Sequence, residues 1–260
     1  MMIQTLNPQK GQHLLINKNI VEKEIKEAEL TKKDRVIEIG SGKGILTEEL
    51  AKNSGKVLSF EIDEQFKQEL DELKKKYDNL SIIYSDALKQ DWKGYNKIVS
   101  NIPYFLAGDI ILKAIKTEIE MLVLVVGEDF KEKLEKKQGK IGIIADLFYE
   151  TIPIMRLQKE DFSPQPKVNS WMIKMMKKEN EDNINNLLKQ IIIKKGKIKN
   201  SIIHSLMETG KTKNQARDLI KEMKITEEVL NKPCEKITGE FILRLRKELE
   251  NIILKLKEVC

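Results

Sequence analysis

The sequence predicts an α/β fold: a largely parallel sheet with helices on both faces, followed by a smaller all-helical domain. Three observations predict it. Short β-branched runs alternate with helix-length segments through the first two-thirds of the chain. Those runs are apolar almost throughout, as strands buried on both faces are. After "FSPQPKVNSWMIKMMKKENED" no strand pattern returns.

Taken in order, "RVIEIG" (35–40), "KVLSFEID" (56–63), "LSIIYSDA" (80–87), "NKIVSN" (96–101) and "EMLVLVV" (120–126) read as strands. Between them, Ile45–Ser54, Glu64–Tyr77 and Phe105–Thr117 repeat apolar residues at helical spacing. Beyond Asn180, the segments Ile184–Lys194, Lys199–Glu208, Asn214–Met223 and Gly239–Lys257 read as helices, separated by Gly196, Gly210 and Pro233. The polar run "KKENEDN" sets a domain boundary near Lys178, giving domains 1–178 and 179–260.

Composition narrows the chemistry. The 260-residue chain has a formal charge of +6, which permits a nucleic-acid partner without requiring one. From Asn180 onward 17 Lys and Arg face 12 Asp and Glu, so most of the excess lies in the last third. The two cysteines, Cys234 and Cys260, have no metal-binding or disulfide spacing, so no metal is expected and the reducing cytoplasm is the expected compartment. No apolar run approaches the roughly 18 residues of a membrane span, and no signal-peptide core opens the chain. With only His13 and His204, mechanisms built on a histidine base have little to work with.

Four motifs end four consecutive strands. In "VIEIGSGKG", Gly40, Gly42 and Gly44 let the backbone turn tightly and approach a ligand. A dinucleotide fingerprint would need glycine at Ile45, and the acid two residues before Gly40 instead resembles the E/D-x-G-x-G-x-G loop of S-adenosylmethionine enzymes. In "FEID", Glu61 is placed to accept both hydroxyls of a ribose. In "SDA", Asp86 can accept from an exocyclic adenine amine. Either acid alone reads equally as a helix N-cap or a solvated turn residue; their common place on one rim of one sheet is what gives them weight.

The fourth motif is Asn101-Ile102-Pro103-Tyr104, where Pro103 stops the ladder. Methyl transfer to an exocyclic amine must free a lone pair delocalised into the ring. Acceptors on the two N–H groups, the Asn101 side chain and the Ile102 carbonyl, favour a pyramidal nitrogen. Tyr104 can stack on a flipped-out base, and alignment of nitrogen, methyl and sulfur supplies the rest. No strong base is required, because the proton leaves a cationic product.

These motifs resemble the ribosomal RNA adenine N6,N6-dimethyltransferase family, which modifies two neighbouring adenosines near the 3′ end of small-subunit rRNA. The resemblance runs through "KGQHLLINKNI", "VIEIGSGKGILTEEL", "FEID", "SDA", "SNIPY", the specific "FSPQPKVNS", "IIIKKGKIKNSI" and "KPCEKITGEFILRL". It implies a Rossmann-like S-adenosylmethionine-dependent methyltransferase fold, with a mixed seven-stranded sheet and a small helical RNA-binding domain. It implies cofactor contacts at His13, Leu15, Gly40, Gly42, Glu61, Ile62, Asp86, Ala87 and Asn101, and transfer at Asn101, Ile102, Pro103 and Tyr104. Phe162 would close on the base opposite Tyr104, and Lys194, Lys195, Lys197 and Lys199 would face RNA phosphates. It further implies a cytoplasmic monomer acting on a pre-30S-like particle during ribosome biogenesis. The chain departs from the family where His13 replaces Asn, Leu14 replaces Phe, "FLAG" follows Tyr104, and Gly127-Glu128-Asp129-Phe130 and "KIGIIA" match only loosely.

Three other readings compete. A large-subunit rRNA adenine methyltransferase of the macrolide-resistance type shares "EIGSGKG", "NIPY" and "PKVNS". "GQ" before His13 and the lysine-rich "KKGKIKNSI" favour the small-subunit branch. A non-catalytic assembly factor on the same fold has no need of an intact Asn101–Tyr104 motif. A glycine-loop dehydrogenase fails at Ile45.

Overall fold

A computed structural model describes residues 13–179, 183–194 and 196–258. The chain divides into two compact units, 1–132 with 149–177, and 133–148 with 178–260. The units therefore do not follow a single cut at residue 178, because the stretch 133–148 groups with the carboxy-terminal helices.

The first unit opens with β1 (Leu14–Leu15) and α1 (Lys18–Glu27). Then come β2 (Arg35–Ile39), α2 (Ile45–Asn53), β3 (Lys56–Glu61), α3 (Lys67–Lys76), β4 (Leu80–Tyr84), β5 (Lys97–Asn101), α4 (Ala107–Lys116) and β6 (Met121–Gly127). All five predicted strands and the three helices between them are present. Helix α5 (Glu128–Glu135) follows, and after α6 (Gly139–Phe148) come β7 (Tyr149–Leu157), β8 (Phe162–Ser163) and β9 (Ser170–Lys177). The main sheet has seven strands in the order β4-β3-β2-β5-β6-β9-β7. The first five are parallel, and β9 and β7 add antiparallel. Strand order reverses between β2 and β5, the switch point at which open α/β sheets form ligand crevices.

The β2–β5 ladder covers only Val36–Lys97 and Ile37–Ile98. Beyond it, the buried Ser100 hydroxyl takes over, donating to the Ile39 carbonyl at 2.6 Å and accepting from the Ile39 amide at 3.1 Å. The strands are thus stitched together by a side chain where their backbones part. Phe60, Ile37, Ile98, Leu122 and Trp92 are fully buried in this unit. Separately, β1 pairs with β8, joining Leu14 to Ser163 and Leu15 to Phe162.

In the second unit, α6 is joined by α7 (Asn183–Ile193), α8 (Ile198–Glu208), α9 (Lys213–Glu222), α10 (Glu227–Leu230) and α11 (Gly239–Glu258). A reciprocal Thr212–Gln215 capping box starts α9. Among the described residues of this unit the only strand-like pairing is the bridge between Lys197 and Pro233. No described helix is long and apolar enough to cross a membrane.

Candidate active site

A cleft opens at the carboxyl ends of β2 to β5, within the first unit. Its wall includes His13, Gly40, Glu61, Ile62, Asp86, Ala87, Asn101 and Pro103. A continuous extension is lined by Leu15, Glu38, Ser41, Lys43, Asn101 and Ser163. Residues of all four motifs thus meet in one place.

The glycine loop is held by the Gly40 amide, which donates to the Phe60 carbonyl at 2.8 Å. Gly42 adopts φ +51°, and a Cβ there would come within 2.6 Å of Leu14 Cδ2, so the loop and the β1 segment meet as closely as glycine allows. The Gly42 amide donates to Glu61 Oε2 and the Asp63 amide to Glu61 Oε1, both at 2.8 Å. The carboxylate at the end of β3 is therefore fixed by backbone amides, with that of Ile62 adding to those of Gly42 and Asp63, and it faces the cleft with acceptor capacity left. Burial raises the Glu61 carboxyl above its ordinary value, and these amide bonds oppose the rise.

Asp86 caps the turn that follows β4, its Oδ1 accepting from the Leu88 amide at 2.9 Å. It is thus an N-cap and a cleft residue at once. A feature absent from the motifs anchors this turn: the Lys113 ammonium of α4 donates to the carbonyls of Ala87 at 3.1 Å, Leu88 at 2.7 Å and Gln90. It also sits 4.5 Å from the Trp92 ring centroid, while Trp92 Nε1 donates to the same Ala87 carbonyl at 3.0 Å. Nothing in the spacing of Lys113 distinguishes it from the solvated lysines of a surface helix.

Asn101 Nδ2 donates to Glu24 Oε2 at 3.3 Å, and Asn101 Oδ1 is buried with no hydrogen-bond partner. Ser85 Oγ, on the cleft wall, is also buried and unpartnered. Ile62 is 72% exposed beside these polar groups, an apolar face for a flat ligand. Tyr104 lies over Gly127: a Cβ at Gly127 would sit 3.2 Å from Tyr104 Cδ2. Its hydroxyl is hydrogen-bonded to that of Ser170, and burial holds the phenol above its ordinary value.

Two sequence expectations stand differently in three dimensions. Phe162 is only 3% exposed and belongs to the apolar core with Leu157 and Met172, so as placed it offers no free ring face to a base. Its pairing with Leu15 explains this, since β8 turns its first residue inward. The lysines of the second unit are partnered: Lys199 with Glu227 at 2.8 Å, Lys197 with Asn231 at 3.3 Å, and Lys194 with His204 at 2.6 Å and Glu208 at 3.4 Å. Lys195 lies outside the described residues.

In the wall of the cleft's extension, Glu38 is buried and accepts from Thr47 Oγ1 at 2.6 Å and from Ser59. Burial pushes its carboxyl up to about 7. Glu24 on α1, which the motifs did not include, is fully buried.

Comparison with known proteins gives a consistent result. The model of the family described as "Ribosomal RNA adenine dimethylase" matches residues 3–243. A protein of Methanococcus maripaludis (strain C7), named probable ribosomal RNA small subunit methyltransferase A, is 36% identical over 245 residues, covering 87% of this chain and 93% of that protein. A protein of the same name from Pyrococcus abyssi is 34% identical over 70% of this chain and 69% of its own. Among solved structures, a dimethyladenosine transferase from Plasmodium falciparum superposes with a TM-score of 0.64 at 25% identity, covering 92% of this chain and 98% of the other. The 23S rRNA methyltransferase ErmE superposes at 0.62, covering 91% and 99%; at 20% identity that likeness concerns the fold.

Proposed function

The chain belongs to the ribosomal RNA adenine dimethylase family, and on that premise we propose that its cleft binds S-adenosylmethionine and presents the cofactor's methyl group to adenine N6. The enzyme is a small-subunit rRNA adenine dimethyltransferase. The observation that carries the site assignment is the convergence of the glycine loop, Glu61, Asp86 and Asn101 on one cleft at the sheet's switch point. Supporting the fit, the cleft combines a pre-fixed carboxylate, a buried unpartnered Ser85 hydroxyl and the exposed face of Ile62, the set of groups an adenosine needs.

When bound, S-adenosylmethionine supplies a methyl group activated by its positive sulfur. The protein's part is recognition and alignment. Glu61 accepts the ribose hydroxyls, and Asp86, with Oδ1 accepting from the Leu88 amide, turns Oδ2 from the exposed Lys89 ammonium 3.7 Å away to the adenine amine. Gly40 and Gly42 admit the cofactor's chain, with His13 and Leu15 on the opposite wall and Ile62 and Ala87 against the base. Asn101 Oδ1 and the Ile102 carbonyl accept from the target amine and favour its pyramidal form. Pro103 fixes the direction of that carbonyl. Tyr104 stacks on the base, and Phe162 supports β1 from the core. Lys194, Lys197 and Lys199 contact RNA phosphates by exchanging their side-chain partners for the RNA backbone, with Lys195 beside them in the sequence.

The resemblance extends the proposal to two adjacent adenosines near the 3′ end, on a pre-30S-like particle, by a cytoplasmic monomer, with 1–178 acting on the cofactor and 179–260 on RNA. The Methanococcus maripaludis and Pyrococcus abyssi relatives are named probable small-subunit methyltransferases, which favours that branch over the large-subunit one. The test is methyl incorporation from labelled S-adenosylmethionine into undermethylated small subunits, large subunits and free rRNA, followed by nucleoside analysis. Dimethyladenosine in small subunits is the expected result. Label confined to large-subunit RNA would move the enzyme to the resistance branch, and bound cofactor without transfer would indicate an assembly factor.

A further inference from the structure

Glu24 is wholly buried on the inward face of α1 beside Ile20 and Val21, while Glu22 on the same helix is exposed. Its Oε2 accepts from Asn101 Nδ2, and its Oε1 has no partner. Asn101 Oδ1 is likewise buried and unpartnered. Hydrogen counting shows what the pair lacks. An ionised carboxylate has only acceptors, and the amide oxygen is another. A single N–H···O bond between the two groups therefore leaves two buried acceptor oxygens with no donor. Each such atom carries an uncompensated desolvation cost, larger where a charge is involved. One proton on Glu24 removes both deficits, because a carboxylic acid and a primary amide are complementary through two antiparallel hydrogen bonds.

We propose that Glu24 is a protonated positioning residue: its O–H donates to Asn101 Oδ1 while Asn101 Nδ2 donates to Glu24 Oε2, locking the Asn101 amide in one plane and one orientation. The surroundings agree. Burial, with the neighbouring Glu38 carboxyl of β2, raises Glu24 to about 8, partly opposed by the Asn101 bond from β5. The role in transfer rests on the reading of Asn101 given above. An amide oxygen has two lone pairs; with one taken by Glu24, the other keeps a fixed direction for the target amine. Without the acid, the amide can turn about its Cβ–Cγ bond and put an N–H donor where the amine needs an acceptor.

The test joins infrared difference spectroscopy of Glu24→Gln against the parent protein, at mildly acidic pH, to transfer kinetics of Glu24→Gln and Glu24→Leu. The parent is expected to show a buried carboxylic-acid C=O band that Glu24→Gln lacks; Glu38 contributes equally to both and cancels. Glu24→Leu should lower kcat about 100-fold, the scale of a small misplacement of a reacting group, with the cofactor KM within about threefold. Glu24→Gln, whose amide can rebuild both bonds, should recover most of that loss. No band difference would overturn the shared proton. A Glu24→Gln variant as slow as Glu24→Leu would overturn the positioning role. A parent that transfers no methyl while showing the band would count against the methyl-transfer reading and not against the proton. If Glu24→Leu fails to fold, the infrared comparison still decides.

Discussion

Asn101 and Glu61 make different demands on the cleft, and substitutions should separate them. Asn101→Ala removes an acceptor for the target amine and is expected to reduce transfer at least about 100-fold, the size of effect seen when one preorganised polar contact to a reacting centre is lost. Tyr104→Ala should lower transfer while leaving cofactor affinity nearer normal, since the ring lies toward Gly127 and Ser170. Glu61→Ala should weaken cofactor binding first, by about tenfold or more, from the loss of charge-assisted bonds. Equal affinity of the Glu61→Ala variant by calorimetry would end the ribose assignment. Glu61, Asp86 and Asn101 were legible in the sequence because each ends a strand, and strand ends can be counted. Glu24 was not. An acid in "KNIVEKEIKE" looks solvated until the helix is laid against β5, and only then does one of its acids turn inward. The burial of Phe162 was hidden for the matching reason: a motif gives the residue, and the β1–β8 pairing decides which way its ring points.

The turn between β4 and β5 depends on α4 for its shape. Lys113 supplies hydrogens to three of its carbonyls, and burial lowers the ammonium's pKa, so the charge is retained against a desolvation cost. Lys113→Met should cost about 1–3 kcal/mol in urea unfolding and weaken cofactor binding through Asp86 and Ala87, neither of which is altered. The end of β6 makes a complementary demand. Gly127→Ala would press on the Tyr104 ring at 3.2 Å, and should slow transfer several-fold with a stability change under about 1 kcal/mol. The parallel strands were readable as apolar β-branched runs, whereas β7 and β9 were not. Strand β9, "SWMIKMMK", has three methionines and a buried lysine, Lys174, whose charge is met by Glu29 at 2.5 Å from outside the strand. Strand β7 contains Pro153, which belongs in a sheet only because the strand is an edge and its register shifts at that point.

Stability of the molecule as a whole should carry the mark of its buried acids. Glu24 and Glu38 are raised to about 8 and about 7 in the folded state, from 4.5. The folded protein therefore binds more protons than the unfolded chain between those values, and its stability falls as pH rises through that window. The slope cannot exceed about 1.4 kcal/mol per pH unit for each group. Facing groups are Asn101 and Glu38 for Glu24, and Ser59, Thr47 and Glu61 for Glu38. Glu24→Gln should flatten the decline between mildly acidic and mildly alkaline pH, read as urea midpoints across a pH series; an unchanged slope would mean that Glu24 titrates normally. The division into units was only half visible in the sequence. A polar run marks the exit near Lys178, but nothing in the pattern of 133–148 reveals that these residues group with helices that follow them by some tens of positions. The cleft has a similar long-range dependence, with a consequence for how the protein is made. Its near wall, His13 and Leu14, is held by residues 161–164: the His13 ring nitrogen meets the Pro164 carbonyl at 2.8 Å, and Asn17 donates to Asp161 at 2.7 Å. During synthesis the glycine loop and both acids leave the ribosome long before that clasp exists, so a nascent chain has a floor for its ligand but no wall. Affinity should arrive late and in one step, once the β8 segment has cleared the exit tunnel.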